Sequence, residues 1–358
     1  MFWRLVFAFY FWRFIKCFLT SCSFLRQNRL SLPYMSEVTS NFEETWRSLG
    51  SPISAAFAGQ RADRYLSREF PFRSRNAWQK CMGLGELLIN RNQIKSSYTL
   101  KEHDQVHFYH PEEVEPDVDR DIRVLWQEGN VMAVYKPGNL PMHESGAYRK
   151  NTFAHLLCEL VGTQWSAVHR LDRETSGIVL CGATSEVRQK LAADFESKKI
   201  AKEYIALVDG QHESTSWHVD GAIGDLVGSR VRIKKWVVEG GQSAQTDFIV
   251  EAVKATASGS FSRLRAFPKT GRTNQIRIHA AHSGHWILGD KLYHPNEEVF
   301  LDYWETHETT DFCVEQTRFH RCCLHAAALT FMHPETNLRV RIESDIPADM
   351  AGLWESLA

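Results

Sequence analysis

The sequence predicts an α+β protein of two unequal parts, a small basic module followed by a larger domain in which strand and helix patterns alternate. Three observations carry that expectation. Helical spacing followed by short alternating strands occupies residues 54–110, and an acidic, proline-punctuated break, "PEEVEPDVDRD", covers 111–121. From 122 to 358, β-type and α-type periodicities then succeed one another without an internal repeat. With 358 residues, 43% of them hydrophobic and 24% charged, the chain can bury a core in two domains and is not globally disordered.

The opening 34 residues stand apart. They hold five basic residues (Arg4, Arg13, Lys16, Arg26, Arg29), no acid, and many aromatics. Their longest apolar run, Leu5 to Trp12, has eight residues, too few to span a bilayer. Arg13 and Lys16 interrupt any signal-type apolar region. We read 1–34 as an extension ahead of a true start at Met35, with a mitochondrial presequence as the alternative, and expect no membrane partner. Without these residues the chain has 37 basic against 43 acidic side chains, so a polyanion has to be held by local patches.

One such patch is the module at 54–110. In "RADRYLSREFPFRSRNAWQKCM" the side chains of Tyr65, Leu66 and Phe70 share one side of a helical pattern and the basic residues share the other. "GELLINRNQIKSSYTLKEHDQVHFY" then alternates as short strands, with turns at Asn90-Arg91-Asn92 and Glu102-His103-Asp104. From Arg61 to Glu102 nine basic residues face four acids, a local charge of +5. A solvated helix face would look the same on charge alone.

In the larger part, "VLWQEGNVMAVYKPGNLPMH" reads as a hairpin of buried strands, and "GIVLCGATSEVRQKLAADFESKKIAKEYIALVDG" as strand, helix, strand. Thr184 or Ser185 can cap that helix, and Val187, Leu191 and Phe195 make an i, i+4, i+8 stripe. "SRLRAFP" reads as a strand, "TNQIRIHAAHSG" as a helix ending at glycine, and "LHAAALTFMHPETNLRVRIESD" as a closing hairpin. The eight cysteines form no CxxC pair and lie mostly in apolar runs, which suits reduced thiols in a cytoplasmic setting rather than a disulfide framework.

The chemistry concentrates in "VHRLDRETSG", Val168–Gly177, where Asp172 stands among His169, Arg170 and Arg173. A neighbouring arginine favours the ionised carboxylate, which can serve as base, metal ligand or nucleophile. An isolated Asp of this kind is more often a strand-end ion pair. Here it lies between "YKPGNLPMH" upstream and "GRTNQIRIHAAHSGHWILGDKLY" downstream. Thr175-Ser176-Gly177 is expected to make the tight turn into "IVLCG".

That ordered set of motifs, from about 122 to 350, resembles the RluA family of pseudouridine synthases. The resemblance implies a mixed, mostly antiparallel sheet with a central cleft, and site-specific isomerisation of uridine in structured RNA. It places the essential nucleophile on Asp172, the arginine that pairs with it on Arg277, the tyrosine that stacks on the target base on Tyr204, and an apolar pocket position on Leu324. The family's usual histidine in "GRTNQIR" is replaced by Asn274. Arg170, Arg173, Lys269 and Arg272 are the expected phosphate contacts. The module at 54–110, with its "R-x-D-R-Y-L" helix and glycine-led hairpin, resembles the S4 RNA-binding domain. Together they imply a monomer acting on large-subunit ribosomal RNA, with transfer RNA as the alternative. Breaking N1–C1′ and joining C5 to C1′ involves no net redox change or hydrolysis, so no cofactor is expected.

Two other readings differ in class. His279, His282 and His285, followed by Asp290 and His294, could suggest a metallohydrolase, but a helix ending near Gly284 takes His285 off the shared face and no HExxH is present. We therefore expect no metal. A non-catalytic S4-type RNA-binding protein would not be expected to keep Asp172, Tyr204 and Arg277 together.

Overall fold

The computed structural model describes residues 46–70, 73–109, 115–257 and 259–357, so the expectations for 1–34 lie outside the described residues. The chain divides after Val114 into two compact units.

The small unit starts earlier than residue 54. Strand β1 (Trp46–Ser48) is followed by helices α1 (Ala62–Glu69) and α2 (Arg75–Leu84), then β2 (Leu87–Ile89), β3 (Asn92–Gln93) and β4 (Val106–Tyr109). The antiparallel sheet runs β1-β4-β2-β3. The Ser74 hydroxyl accepts from the Ala77 N–H at the start of α2, and Gly85 ends it in the left-handed conformation. Asn90 and Arg91 both take positive φ, as a two-residue β2–β3 turn requires. Tyr65, Leu66, Trp78, Met82, Leu87 and Phe108 build the core, with Phe70 packed against it. The fully buried Asp63 accepts from Arg61, Arg75 and Gln79. The Arg61 hydrogen bond does most to hold its carboxyl below the usual range. Two of the nine basic side chains are therefore spent inside the unit.

The larger unit contains β5 (Arg123–Glu128), β6 (Val131–Lys136), α3 (Phe153–Val161), β7 (Ser166–Ala167), β8 (Ser176–Gly182), α4 (Ser185–Glu196) and β9 (Ala201–Asp209). It continues with β10 (Ser216–Asp220), β11 (Ile223–Asp225), β12 (Lys235–Val237), β13 (Gln245–Thr256), β14 (Gly259–Pro268) and α5 (Gln275–His282). Last come α6 (Glu298–Thr306), α7 (Asp311–Thr317), β15 (Leu324–Met332), β16 (Arg339–Glu343) and α8 (Ala348–Ser356). Ten strands form one sheet with the path β10-β13-β14-β9-β15-β8-β6-β5, to which β16 adds on β15 and β7 on β8. Among the described strands, only β15 and β8 pair in parallel. The fold is thus mixed α+β on a mostly antiparallel sheet.

β6 and β8 are buried along their whole length, which explains their unbroken apolar runs. Met132, Val134 and Val179 face a core closed by Phe153 and Leu157 of α3, while Val131, Ala133, Ile178 and Leu180 face Val187 and Leu191 of α4. Thr184 caps α4 by accepting from the Val187 N–H. The expected hairpin of buried strands needs correction: β5 is the sheet edge, exposed or half-exposed throughout. The segment read as a linker also differs. From Glu115 it is fastened to the larger unit, because the Glu115 carboxylate accepts from the N–H groups of Arg149, Lys150 and Asn151 at 2.9, 2.8 and 2.7 Å. Burial opposes its ionisation, but those three donors outweigh it and lower its pKa.

Candidate active site

Asp172 lies on the loop from β7 to β8, between the buried Leu171 and a turn in which the Thr175 N–H returns to the Asp172 carbonyl at 3.1 Å. Thr175-Ser176-Gly177 is therefore not the turn itself. Ser176 and Gly177 already belong to β8, opposite His325 and Ala326 of β15. The Ser176 hydroxyl is 3.0 Å from His325 Nδ1. Gly177 has φ +120°, and a Cβ there would stand 2.3 Å from the Ala326 carbonyl oxygen, so only glycine lets the two strands come this close.

Arg277 reaches Asp172 from α5, 105 residues away, with Nη1 donating to Oδ2 at 3.2 Å. Nε and Nη2 of the same guanidinium are held by the two oxygens of Asp290 at 2.6 and 2.7 Å. Asp290 is fully buried and also accepts from the N–H groups of Leu292 and Tyr293. Burial alone would discharge this pair; the mutual attraction wins, keeping Asp290 below and Arg277 well above its ordinary value. The Arg277 guanidinium lies 5.1 Å from the Tyr293 ring centroid. Asn274, at left-handed φ 56°, opens α5; its Oδ1 accepts from Arg277 and its Nδ2 donates to the Tyr293 hydroxyl.

Tyr204 comes from the middle of the sheet, on β9 between Ala266 of β14 and Ala326 of β15. Burial first, and then the Asp172 charge, push its phenol pKa up, so it is a neutral O–H at physiological pH. Leu324, the first residue of β15, is buried beside it. These groups share a cleft of about 580 Å3 lined by Arg170, Asp172, Tyr204, Arg272, Asn274, Arg277 and Leu324, among others. That volume is in the range of specific small-molecule sites.

Two predicted site residues do not line it. The Lys269 ammonium is 2.9 Å from Asp247 on β13. The Arg173 guanidinium is taken by the hydroxyls of Tyr148 and Tyr303 and by Glu174. Arg170, by contrast, is exposed at the cleft. Arg272 lines it while its Nε donates to the Ser243 carbonyl.

Sequence reasoning missed several groups that shape the cleft. Lys202, two residues before Tyr204, donates to the Thr270 carbonyl at 2.8 Å, and burial followed by nearby Lys198 lowers its pKa to about 8. The Thr270 hydroxyl donates to Gln275 Oε1 at 2.6 Å, and Gln275 Nε2 donates to Gln245 O and Thr246 Oγ1. This chain of bonds ties the loop before α5 to β9 and β13. The i, i+2 spacing of Lys202 and Tyr204 on one strand face was the available signal. His169 Nε2 accepts the Leu180 N–H, and burial followed by Lys202 pushes its pKa down to about 3. It is a neutral structural group. Of the residues weighed as metal ligands, His279 bonds Thr246 Oγ1 and Gly221 O, His285 bonds Asp209 O, and Asp290 is occupied by Arg277.

The arrangement offers a carboxylate with one oxygen on a fixed guanidinium, beside a neutral phenol and a basic rim. Such a set can deliver a nucleophile or base to a planar, polar ring and hold an anionic strand beside it.

Comparison with known proteins yields consistent matches. The family model described as RNA pseudouridylate synthase matches residues 130–282. An RNA pseudouridine synthase of Chlorobaculum parvum is 29% identical over 85% of this chain and 96% of its own length. The ribosomal large subunit pseudouridine synthase C of Yersinia pestis is 30% identical over 82% of this chain and 91% of its own. Among solved structures, human RNA pseudouridylate synthase domain containing 1 superposes with a TM-score of 0.51 at 19% identity, over 68% of this chain and 97% of that one, which shows a shared fold.

Proposed function

The chain belongs to the RluA family of RNA pseudouridine synthases and isomerises uridine in RNA; from that premise we propose that its substrate is structured large-subunit ribosomal RNA and that Asp172 is the nucleophile. The observation that carries the assignment of Asp172 is the Asp172–Arg277–Asp290 chain facing Tyr204 across the cleft. Isomerisation breaks N1–C1′, turns the uracil while it stays bound, and joins C5 to C1′, with the C5 hydrogen lost as a proton. The Asp172 carboxylate can attack C1′, assist loss of the uracil anion through a glycal, or add at C6. Arg277 bonds one oxygen, Oδ2, and does not take the other.

The target nucleotide has to leave its stack to enter the cleft, where the Tyr204 ring would hold the base by its face. Arg170, Arg272 and Lys202 would meet the phosphates beside it. We assign the small unit to the S4 type and give it RNA binding through its exposed basic side chains. That appended unit, and the ribosomal target in the name of the Yersinia pestis relative, favour ribosomal over transfer RNA. We place the protein in the cytoplasm, on the support of free cysteines at 81, 158, 181, 313, 322 and 323, and propose that it acts as a monomer. No described helix is long and apolar enough to cross a membrane.

The test is release of tritium from RNA labelled at uridine C5. Wild-type protein should release label from large-subunit ribosomal RNA, and Asp172→Asn should bind that RNA and release none. Release by Asp172→Asn at the wild-type rate would overturn the nucleophile assignment. Release from transfer RNA alone would overturn the ribosomal one.

A further inference from the structure

Arg170 and Arg173 flank Asp172 in the sequence, two residues before it and one after, but only Arg170 lines the cleft. Arg173 runs back into the fold. Its guanidinium carbon is 5.9 Å from the Tyr148 ring centroid and 5.8 Å from that of Tyr303. Nη1 donates to the Tyr148 hydroxyl at 3.0 Å and Nη2 donates to the Tyr303 hydroxyl. Tyr148 lies between β6 and α3, and Tyr303 lies on α6, 130 residues beyond Arg173. Burial would discharge Arg173, but Tyr303, Glu174 and Tyr148 outweigh it and raise its pKa, so the cation is permanent.

The main chain at the same place is tied down as well. The Arg173 carbonyl accepts from Lys136 Nζ and from the Leu140 N–H, both at 3.0 Å. The Glu174 carboxylate accepts from Lys291 Nζ at 3.1 Å and from the Cys322 N–H at 2.8 Å. Asp172 itself has one bond from outside its loop, the 3.2 Å contact with Arg277, so its aim depends on how its neighbour is held. A phosphate contact would need Arg173 free and facing the cleft, and it is neither.

We propose that Tyr148, Arg173 and Tyr303 form a clamp that positions Asp172 for reaction, with Tyr303 and Tyr148 acting as positioning residues through Arg173. The clamp rests on the reading of Asp172 as nucleophile. It uses α6 to set the catalytic loop, and it divides the two arginines of the motif between the RNA and the fold.

The experiment is single-turnover tritium release with the full chain, alongside RNA affinity and melting temperature, for Tyr303→Phe, Tyr148→Phe, the double variant, Arg173→Lys and Asp172→Asn. Phenylalanine keeps each ring and removes the oxygen that accepts from Arg173. Misplacing a reacting group by about 1 Å costs on the order of a hundredfold in rate, so the double phenylalanine variant should slow by ten- to a hundredfold. Its RNA affinity should stay near that of wild type, because neither tyrosine lines the cleft. Arg173→Lys, which cannot bridge both hydroxyls, should slow similarly. A wild-type rate in the double variant, or weakened RNA binding at an unchanged rate, would overturn the clamp. If Tyr303→Phe melts early, Tyr148→Phe, on the loop between β6 and α3, decides by the same criteria. An active Asp172→Asn would instead remove the premise, and that outcome is read separately from the tyrosine variants.

Discussion

Arg277 is shared unequally between two carboxylates: Asp290 holds Nε and Nη2 at 2.6 and 2.7 Å, while Asp172 takes Nη1 at 3.2 Å. The buried Asp290 fixes the guanidinium, and the longer contact leaves Asp172 able to turn toward a substrate. Lysine at 277 could meet one carboxylate but not both. Arg277→Lys is therefore expected to lower the single-turnover rate by about a hundredfold, the usual cost of one preorganised donor. Asp290→Asn leaves a buried cation half-paired and should cost roughly 3–5 kcal/mol of stability. Tritium release and urea unfolding measure the two effects; an Arg277→Lys enzyme at full rate would contradict this division of labour.

Gly177→Ala should be among the most damaging single-methyl changes in the chain. Its Cβ would meet backbone atoms of Ala326 at 2.3 and 2.6 Å, and φ +120° is a region that L side chains rarely adopt. Backbone of a central strand cannot step aside, so about 3 kcal/mol or more of destabilisation is expected. Equilibrium unfolding of the purified variant checks it, and a loss under about 1 kcal/mol would mean β8 and β15 can separate cheaply.

Stability should fall in mild acid partly through His325. It is fully buried, its Nε2–H donates to the Ser344 carbonyl, and its Nδ1 accepts from Ser176. Burial lowers its pKa to about 4. The unfolded chain takes up this proton near pH 6.5 and the folded chain resists until about pH 4, so the contribution is complete above 6.5 and lost as pH falls through that window. Between pH 6.5 and 5 the loss is about 2 kcal/mol at ~1.4 kcal/mol per pH unit. His325→Gln keeps one donor and one acceptor but cannot titrate, so its stability should be flatter across the window. Parallel pH profiles for the two proteins would exclude His325 as the source.

The RNA-binding role given to the small unit can be read from salt dependence. Arg64, Lys80 and Lys95 are exposed, whereas Arg61 and Arg75 are bound to Asp63. Replacing the first three by glutamine should reduce the slope of log affinity against log salt by about two to three, with the tritium-release rate at saturating RNA unchanged. An unaltered slope would show that the RNA does not pass over this face.

The pattern of residues 176–209 was legible because everything it needed was local. Val187, Leu191 and Phe195 mark the helix face, Thr184 supplies its cap, and flanking apolar runs mark the strands. The same holds for the hairpin at Asn90-Arg91. Arg123, Gln127 and Glu128 already made β5 less apolar than β6, but only the sheet order puts one at the edge and the other inside. Glu115 looked like one more acid in a linker, because the three N–H groups that hold it lie 34 to 36 residues away.

The sequence by itself determined the class of fold, the order of elements and the small set of residues around which a site could form, since periodicity, caps and motif spacing are properties of adjacent side chains. Only the tertiary structure decided what each member of that set does. Arg170 and Arg173 are chemically identical and both within two residues of Asp172 in the chain, but one lines the cleft and the other is locked between Tyr148 and Tyr303. Asp290, the residue that fixes Arg277, stands in the sequence with the histidines weighed as metal ligands, and only the fold pairs it with Arg277 at 2.6 Å. The physical reason is that the direction of a side chain and the identity of its partner are set by packing between segments that are not adjacent in the chain, from 13 residues apart for Arg277 and Asp290 to 130 for Arg173 and Tyr303.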